Sequence, residues 1–177
     1  MIAPDLDAWL PDASLRVAHR RVSTAAPEVL WAAASEVRLA DTGLLGRLIR
    51  WRIPDLAGDE AFDALFRKPP FLVLEEGERA LVSGLVGRIW TLRRDYPKLN
   101  GPEAFRDWSQ RGSARVLFAT WVTADGDGSA LHSEARVEAL GVQGRIGVAA
   151  VRPLVNRFQG LVSSEGLRAA VRRAEDH

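Results

Sequence analysis

His19, in the stretch "LRVAHRRVST", is the side chain of this sequence best suited to moving a proton near neutral pH, because an imidazole of ordinary pKa both gives and takes one there. The competing reading is a surface or hydrogen-bonded structural histidine. The other two histidines are His132, on a charged strand face and so read as exposed, and the terminal His177. Arg88 is the second candidate for chemistry. It follows Gly87 and precedes Ile89-Trp90, where it could present a planar guanidinium to a ligand carboxylate, or else be solvated or ion-paired. Glu134 and Arg136 stand two apart on one strand face and could pair with each other or with Arg115; the alternative is a solvated outer sheet face.

Other chemistries lack their residues. There are no cysteines, which removes disulfides, thiolate metal sites and cysteine nucleophiles. No triad, phosphate loop or metal-ligand spacing is present: Ser163-Ser164-Glu165 falls in helical context, and "GLLGRLIR" lacks the lysine and strand setting of a nucleotide loop. Asp125-Gly126-Asp127-Gly128 lacks the later bidentate glutamate of a calcium loop and reads as a hairpin turn. No metal or other cofactor is expected.

Charge and length narrow the class further. The 24 basic and 23 acidic residues nearly cancel, so the field expected of a nucleic-acid binder is missing and none is expected as a partner. Only Lys68 and Lys98 are lysines, a bias that fits genome composition better than phosphate binding. No run of about 18 apolar residues suggests an integral membrane segment, and "MIAPDLDAWLPD" carries acids and prolines where a signal peptide needs basic and then apolar blocks. A cytoplasmic protein is expected. At 177 residues one domain covers the chain, with 1–13 as an N-terminal extension. Oligomeric state stays open.

The elements that must position these residues follow from pattern. A β-branched stretch over 15–24 reads as a strand whose face assignment is open, since neither alternating set is cleanly apolar. A helix over about 27–37 follows, with Thr24 as its cap, Pro27 in its first turn and Glu28 near the positive end of its dipole. Leu44, Leu45, Leu48, Ile49 and Trp51 make the stripe of a second short helix stopped by Pro54, and "DEAFDALFRK" adds a turn or two. Strands then dominate: a hairpin about Glu76-Gly77-Glu78, with Gly84 and Gly87 bending or bulging its second strand, and a cleaner hairpin of two strands of about ten residues around 124–128. From about Gln143 to Ala174 the pattern is helical, with a stripe of Val151, Leu154, Phe158, Leu161, Val162 and Leu167, and Pro153 and Gly160 should kink it. The order is α+β.

Two segments carry a family resemblance. "STAAPEVLWAAASEV" follows the first strand, and its Ala25, Ala26, Pro27, Glu28, Leu30 and Trp31 match a strand, Ala-Pro-Pro-Glu, Val-Trp pattern, with Ala26 and Leu30 departing from it. "ALVSGLVGRIW", with "SEARV" and "RRAE", is similar to a bacterial subgroup without assigned function. Over roughly 14–175 the chain resembles the START/SRPBCC superfamily. That resemblance implies a helix-grip fold: a curved antiparallel sheet wrapped around a long C-terminal helix, two short helices after the first strand, and a cavity between the layers. His19 matches a histidine of the same subgroup.

The superfamily includes lipid carriers, hormone receptors, polyketide cyclases and aromatases, and ring-hydroxylating oxygenase subunits, so the fold leaves the function open. The oxygenase option needs two histidines and a carboxylate on iron, which the three histidines here do not supply by position. The expected activity is binding of a small hydrophobic or amphipathic ligand; the alternative is a cyclase, aromatase or dehydratase using the same cavity, with Arg88 or His19 polarising carbonyls or moving protons. The expected lining is Trp51, Trp90, Phe118 and Thr120, faced by Leu154 and Phe158 from the long helix. Phe118 alternates with Val116, Thr120 and Val122, and that set is inward because the other contains Arg115. Filling of an ordinary core is the competing reading for these aromatics.

Overall fold

The computed structural model describes residues 3–38, 61–91 and 96–176, without the side chains of 62, 63, 158, 159, 163 and 164. In chain order the elements are β1 (Leu15–Ser23), α1 (Pro27–Glu36), α2 (Phe62–Leu65), β2 (Leu72–Gly77), β3 (Ala80–Gly87), α3 (Pro102–Arg106), β4 (Ser113–Asp125), β5 (Gly128–Leu140), α4 (Gly141–Leu161), a π turn (Val162–Gly166) and α5 (Leu167–Glu175). The expected helix about Leu44 to Trp51 lies outside the described residues.

All five strands form one antiparallel sheet in the order β1-β5-β4-β3-β2, so the first strand closes against the last. The β4–β5 hairpin is longer than the pattern suggested, thirteen residues a side. Asp125 opposes Gly128 across a two-residue turn in which Gly126 alone takes a positive φ, 58°, the signature of a type II′ connection whose twist suits the strands.

Register settles the face that β1 left open. Val17 opposes Ala135, His19 opposes Ser133 and Arg21 opposes Leu131, and directly opposed residues share a face. That set lies on the inner face with Val116, Phe118, Thr120 and Val122, beneath α1, α4 and α5.

The outer face is not the solvated surface its charges suggested. Leu74, Val82, Val86, Leu117 and Ala119 form a second core there with Leu6, Trp9 and Leu10 of the N-terminal segment and Phe105 of α3. Arg136, only 5% exposed, donates to Glu134 at 2.6 Å, to Asp7 at 2.5 Å and to the Leu10 carbonyl at 3.2 Å. Arg115 pairs with Glu138. The apolar residues of 3–13 need a seat, and the sheet's outer face supplies it.

Gly84 belongs to this second core. Its pairing runs unbroken to both neighbours, and the irregularity sits opposite, between Val73 and Glu75. A Cβ at Gly84 would lie 2.7 Å from the Phe105 ring and 2.9 Å from Leu74, so glycine is there to admit the ring rather than to bulge the strand.

Helix ends differ from expectation in one place. Ala26, not Thr24, caps α1 without any side-chain bond, and Pro27 supplies the preset φ of the first turn. The Thr24 amide and the Ser23 hydroxyl instead donate to Glu175, tying the end of α5 to the β1–α1 junction at 3.1 Å each. In the long helix, Pro153 is contained within α4, and the departure from α-helical regularity falls at Val162–Gly166, just past Gly160. No helix among the described residues is long and apolar enough to cross a membrane.

Candidate functional site

Between the inner sheet face, α1 and the π turn lies a cavity of about 40 Å³, within a cleft whose atom-free space reaches about 580 Å³ when its open mouth is included. The sheet gives it Leu81, Ser83, Phe118, Thr120 and Leu131. From α1 come Trp31, Ala34 and Ser35, with Val37 just beyond. Val162 and Gly166 of the π turn, with Leu167 and Ala170 of α5, close the opposite side, and Phe66 seals one end. The break in α-helical regularity thus coincides with the cavity wall, a placement common at functional sites.

One end is aromatic. Phe66, Phe71 and Phe118 form a triangle of rings with centroids 5.1, 5.2 and 5.8 Å apart in tilted or edge-on contact. Among the described residues the polar groups of the lining are the hydroxyls of Ser35, Ser83 and Thr120 and the indole of Trp31, and none of these lining side chains is ionisable. Ser83 is 1% exposed, and its Oγ has no hydrogen-bond partner among the described residues.

The expected lining residues divide. Phe118 and Thr120 stand on the wall, side by side along the inner face of β4 as the alternation required. Trp90 is half-buried elsewhere: its indole lies flat on Gly147 of α4, where a Cβ would come within 2.2 Å, in a cluster with Leu85, Val116 and Val148. Leu154 is 54% exposed and faces solvent, because α4 meets the sheet through Gly147, Val148 and Val155, a face turned away from it. Trp51 and the Phe158 side chain lie outside the described residues.

The two candidates for chemistry do not meet. Arg88 is exposed at the turn after β3. His19 is on the inner face of β1, separated from β3 by two strands, and is not part of the cavity wall. Its Nε2 is buried without a partner among the described residues; burial, and then the Arg21 charge, lower its pKa and favour the neutral ring. His132 is not simply exposed. It stacks on Trp121 at 5.0 Å, bonds the Thr123 hydroxyl at 3.0 Å, and has its pKa lowered by burial and then by Arg20, against an opposing effect of Asp125. Among the described residues no three His, Asp or Glu side chains gather where they could hold a metal ion.

An antiparallel sheet closed β1 to β5 lies across a long C-terminal helix, with a cavity between them. The chain has a helix-grip fold.

No family model and no curated protein matches the chain. Among solved structures, the helix-grip chain is similar to TTHA0849 from Thermus thermophilus at 13% identity, covering 90% of this chain and 97% of that one, with a TM-score of 0.33. CalU16 from Micromonospora echinospora shares 15% identity over 91% and 84%, TM-score 0.31. The Zhui aromatase/cyclase from Streptomyces sp. R1128 shares 17% over 90% and 94%, TM-score 0.34. Likenesses of this degree do not carry the assignment, which rests on strand order and helix placement in this chain.

Sequence reasoning missed most of the wall. Trp31 carried a signal in its place on the first helix, and Val162 and Leu167 in the apolar stripe. Ser83, inside "ALVSGLVG", had none: only burial without a partner marks it.

Proposed function

We propose that this protein binds a small, mostly apolar molecule in the cavity between the sheet, α1 and the π turn. The observation that carries the reading is the wall itself: among the described residues, mostly apolar side chains from sheet and helices surround space that opens to solvent. Apolar surface moved from water into such a site contributes roughly 25 cal/mol per Å². The cavity of 40 Å³ is far below the roughly 300–1,000 Å³ of drug-sized sites, so only the ligand's end enters it and the remainder lies in the mouth. A cyclase or dehydratase in the same cavity would need a group to move protons at the reacting atom. Among the described residues the lining contains no ionisable side chain, which favours binding over chemistry there.

Native mass spectrometry of the purified protein, with and without added apolar probe, tests this. The wild-type protein should carry or take up one small molecule, and Ala170→Leu, which fills the cavity, should lose it while its circular dichroism is unchanged. A wild-type protein that carries nothing and takes up no probe contradicts the reading.

A further inference from the structure

Ser83 sits where a hydroxyl is costly. Every residue of β3 is buried, and Ser83 stands at its middle between Leu81 and Leu85 on the inner face. Three other buried serines use their hydroxyls: Ser23 donates to Glu175, Ser113 to the Gln110 carbonyl at 2.6 Å and Ser129 to the Ala25 carbonyl at 2.7 Å. Ser83 Oγ, on the cavity wall, has no such partner among the described residues. A buried hydroxyl left unbonded is a net loss in the empty protein, and one that a ligand oxygen can repair.

We infer that Ser83 anchors the inner end of the ligand, and that this end is a single neutral oxygen, a hydroxyl or a carbonyl, on an otherwise apolar molecule. The inference rests on the cavity being a ligand site. A serine hydroxyl both donates and accepts, so it serves either group. Thr120, the diagonal neighbour of Ser83 on the adjacent strand, offers a second hydroxyl on the same wall. A carboxylate, phosphate or ammonium is disfavoured at this end, because no lining residue among those described carries a compensating charge and burial of an unpaired ion is costly. The 40 Å³ cavity admits an oxygen and its first carbons, with the remainder of the molecule in the open mouth.

Titration of wild-type protein and Ser83→Ala with 1-octanol, 2-octanone and n-octane, followed by tryptophan fluorescence, tests the anchor. The wild type should prefer the two oxygenated probes over octane by about fivefold to tenfold. Ser83→Ala should bind octane at least as well as wild type, lose that preference, and be no less stable to heat, because it removes an unbonded hydroxyl. Equal binding of all three probes by the wild type, or a preference that survives Ser83→Ala, overturns the anchor while leaving the cavity reading intact. Binding of none of the three sinks the cavity reading, and the anchor with it.

Discussion

The Arg136 guanidinium, buried on the outer face of β5, meets the Asp7 carboxylate at 2.5 Å and so clasps the N-terminal segment to the sheet. Glu134 holds the same guanidinium at 2.6 Å, and the Leu10 carbonyl accepts a further bond from it. Burial works against the Arg136 charge, but the bonds to Glu134 and Asp7 outweigh it and raise the pKa, so the group stays cationic. Removing it leaves Glu134 beneath the segment with only the longer 3.6 Å contact to Arg16. Arg136→Met should therefore destabilise the protein by about 3 kcal/mol, measured by urea denaturation at pH 7.

The same clasp fixes an acid limit. Hydrogen bonding to Arg136, then its charge, holds the Asp7 carboxyl below its ordinary 3.8. A depressed carboxylate adds stability that is fully present above its unfolded pKa and is lost as pH falls through the folded one. Wild-type stability should decline below about pH 4 more steeply than that of Asp7→Asn, as read from urea midpoints. Parallel curves for the two proteins would show that the clasp contributes nothing.

Histidines set a second slope. His19 and His132 both have pKa values lowered below 6.5, chiefly by burial. The unfolded chain then binds protons that the native state refuses, so stability should rise with pH through the window just below 6.5 and level off above it. The double variant His19→Gln, His132→Gln should flatten that rise in urea midpoints between pH 5 and pH 7.

Gly84 and Phe105 should behave as one unit. A methyl group at Gly84 has nowhere to go but the ring, so Gly84→Ala should cost about 2 kcal/mol. Phe105→Leu withdraws the obstruction while opening a gap. The double variant should be more stable than the sum of the single losses predicts, with a coupling of about 1 kcal/mol in a double-mutant cycle.

How much of this was readable in advance depended on what each residue's neighbours in sequence reveal. Phe118 and Thr120 were legible because β4 alternates and Arg115 marks the face that turns outward, where it pairs with Glu138. Leu154 was misread because α4 is apolar on more than one side: Val142 and Ile146 are also exposed, so hydrophobicity alone does not give the phase of the helix. Trp90 was expected on the cavity wall, but it packs in the core against Gly147, a seat distant in sequence and silent in pattern. The seat of residues 3–13 was hidden for a similar reason. Leu6, Trp9 and Leu10 stand at i, i+3 and i+4 on a single turn, closed by the Leu10 amide donating to the Leu6 carbonyl. One turn is too short to read as an element, and their partners lie on four other elements.

Arg88 separates two accounts of the site. It is exposed and absent from the cavity wall, so Arg88→Ala should leave probe affinity within about twofold of wild type, whereas Phe118→Ala, which removes part of the wall, should change it severalfold. A loss of affinity confined to Arg88→Ala would place the ligand at the turn after β3 instead.

Methyl-labelled protein titrated with 1-octanol and followed by NMR tests the central claim most directly. The account predicts saturable shifts concentrated on Leu81, Leu131, Val162 and Leu167, which face the cavity from sheet and helix. Shifts confined to the exposed Val142, Ile146 and Leu154 of α4, with the cavity methyls unmoved, would contradict it.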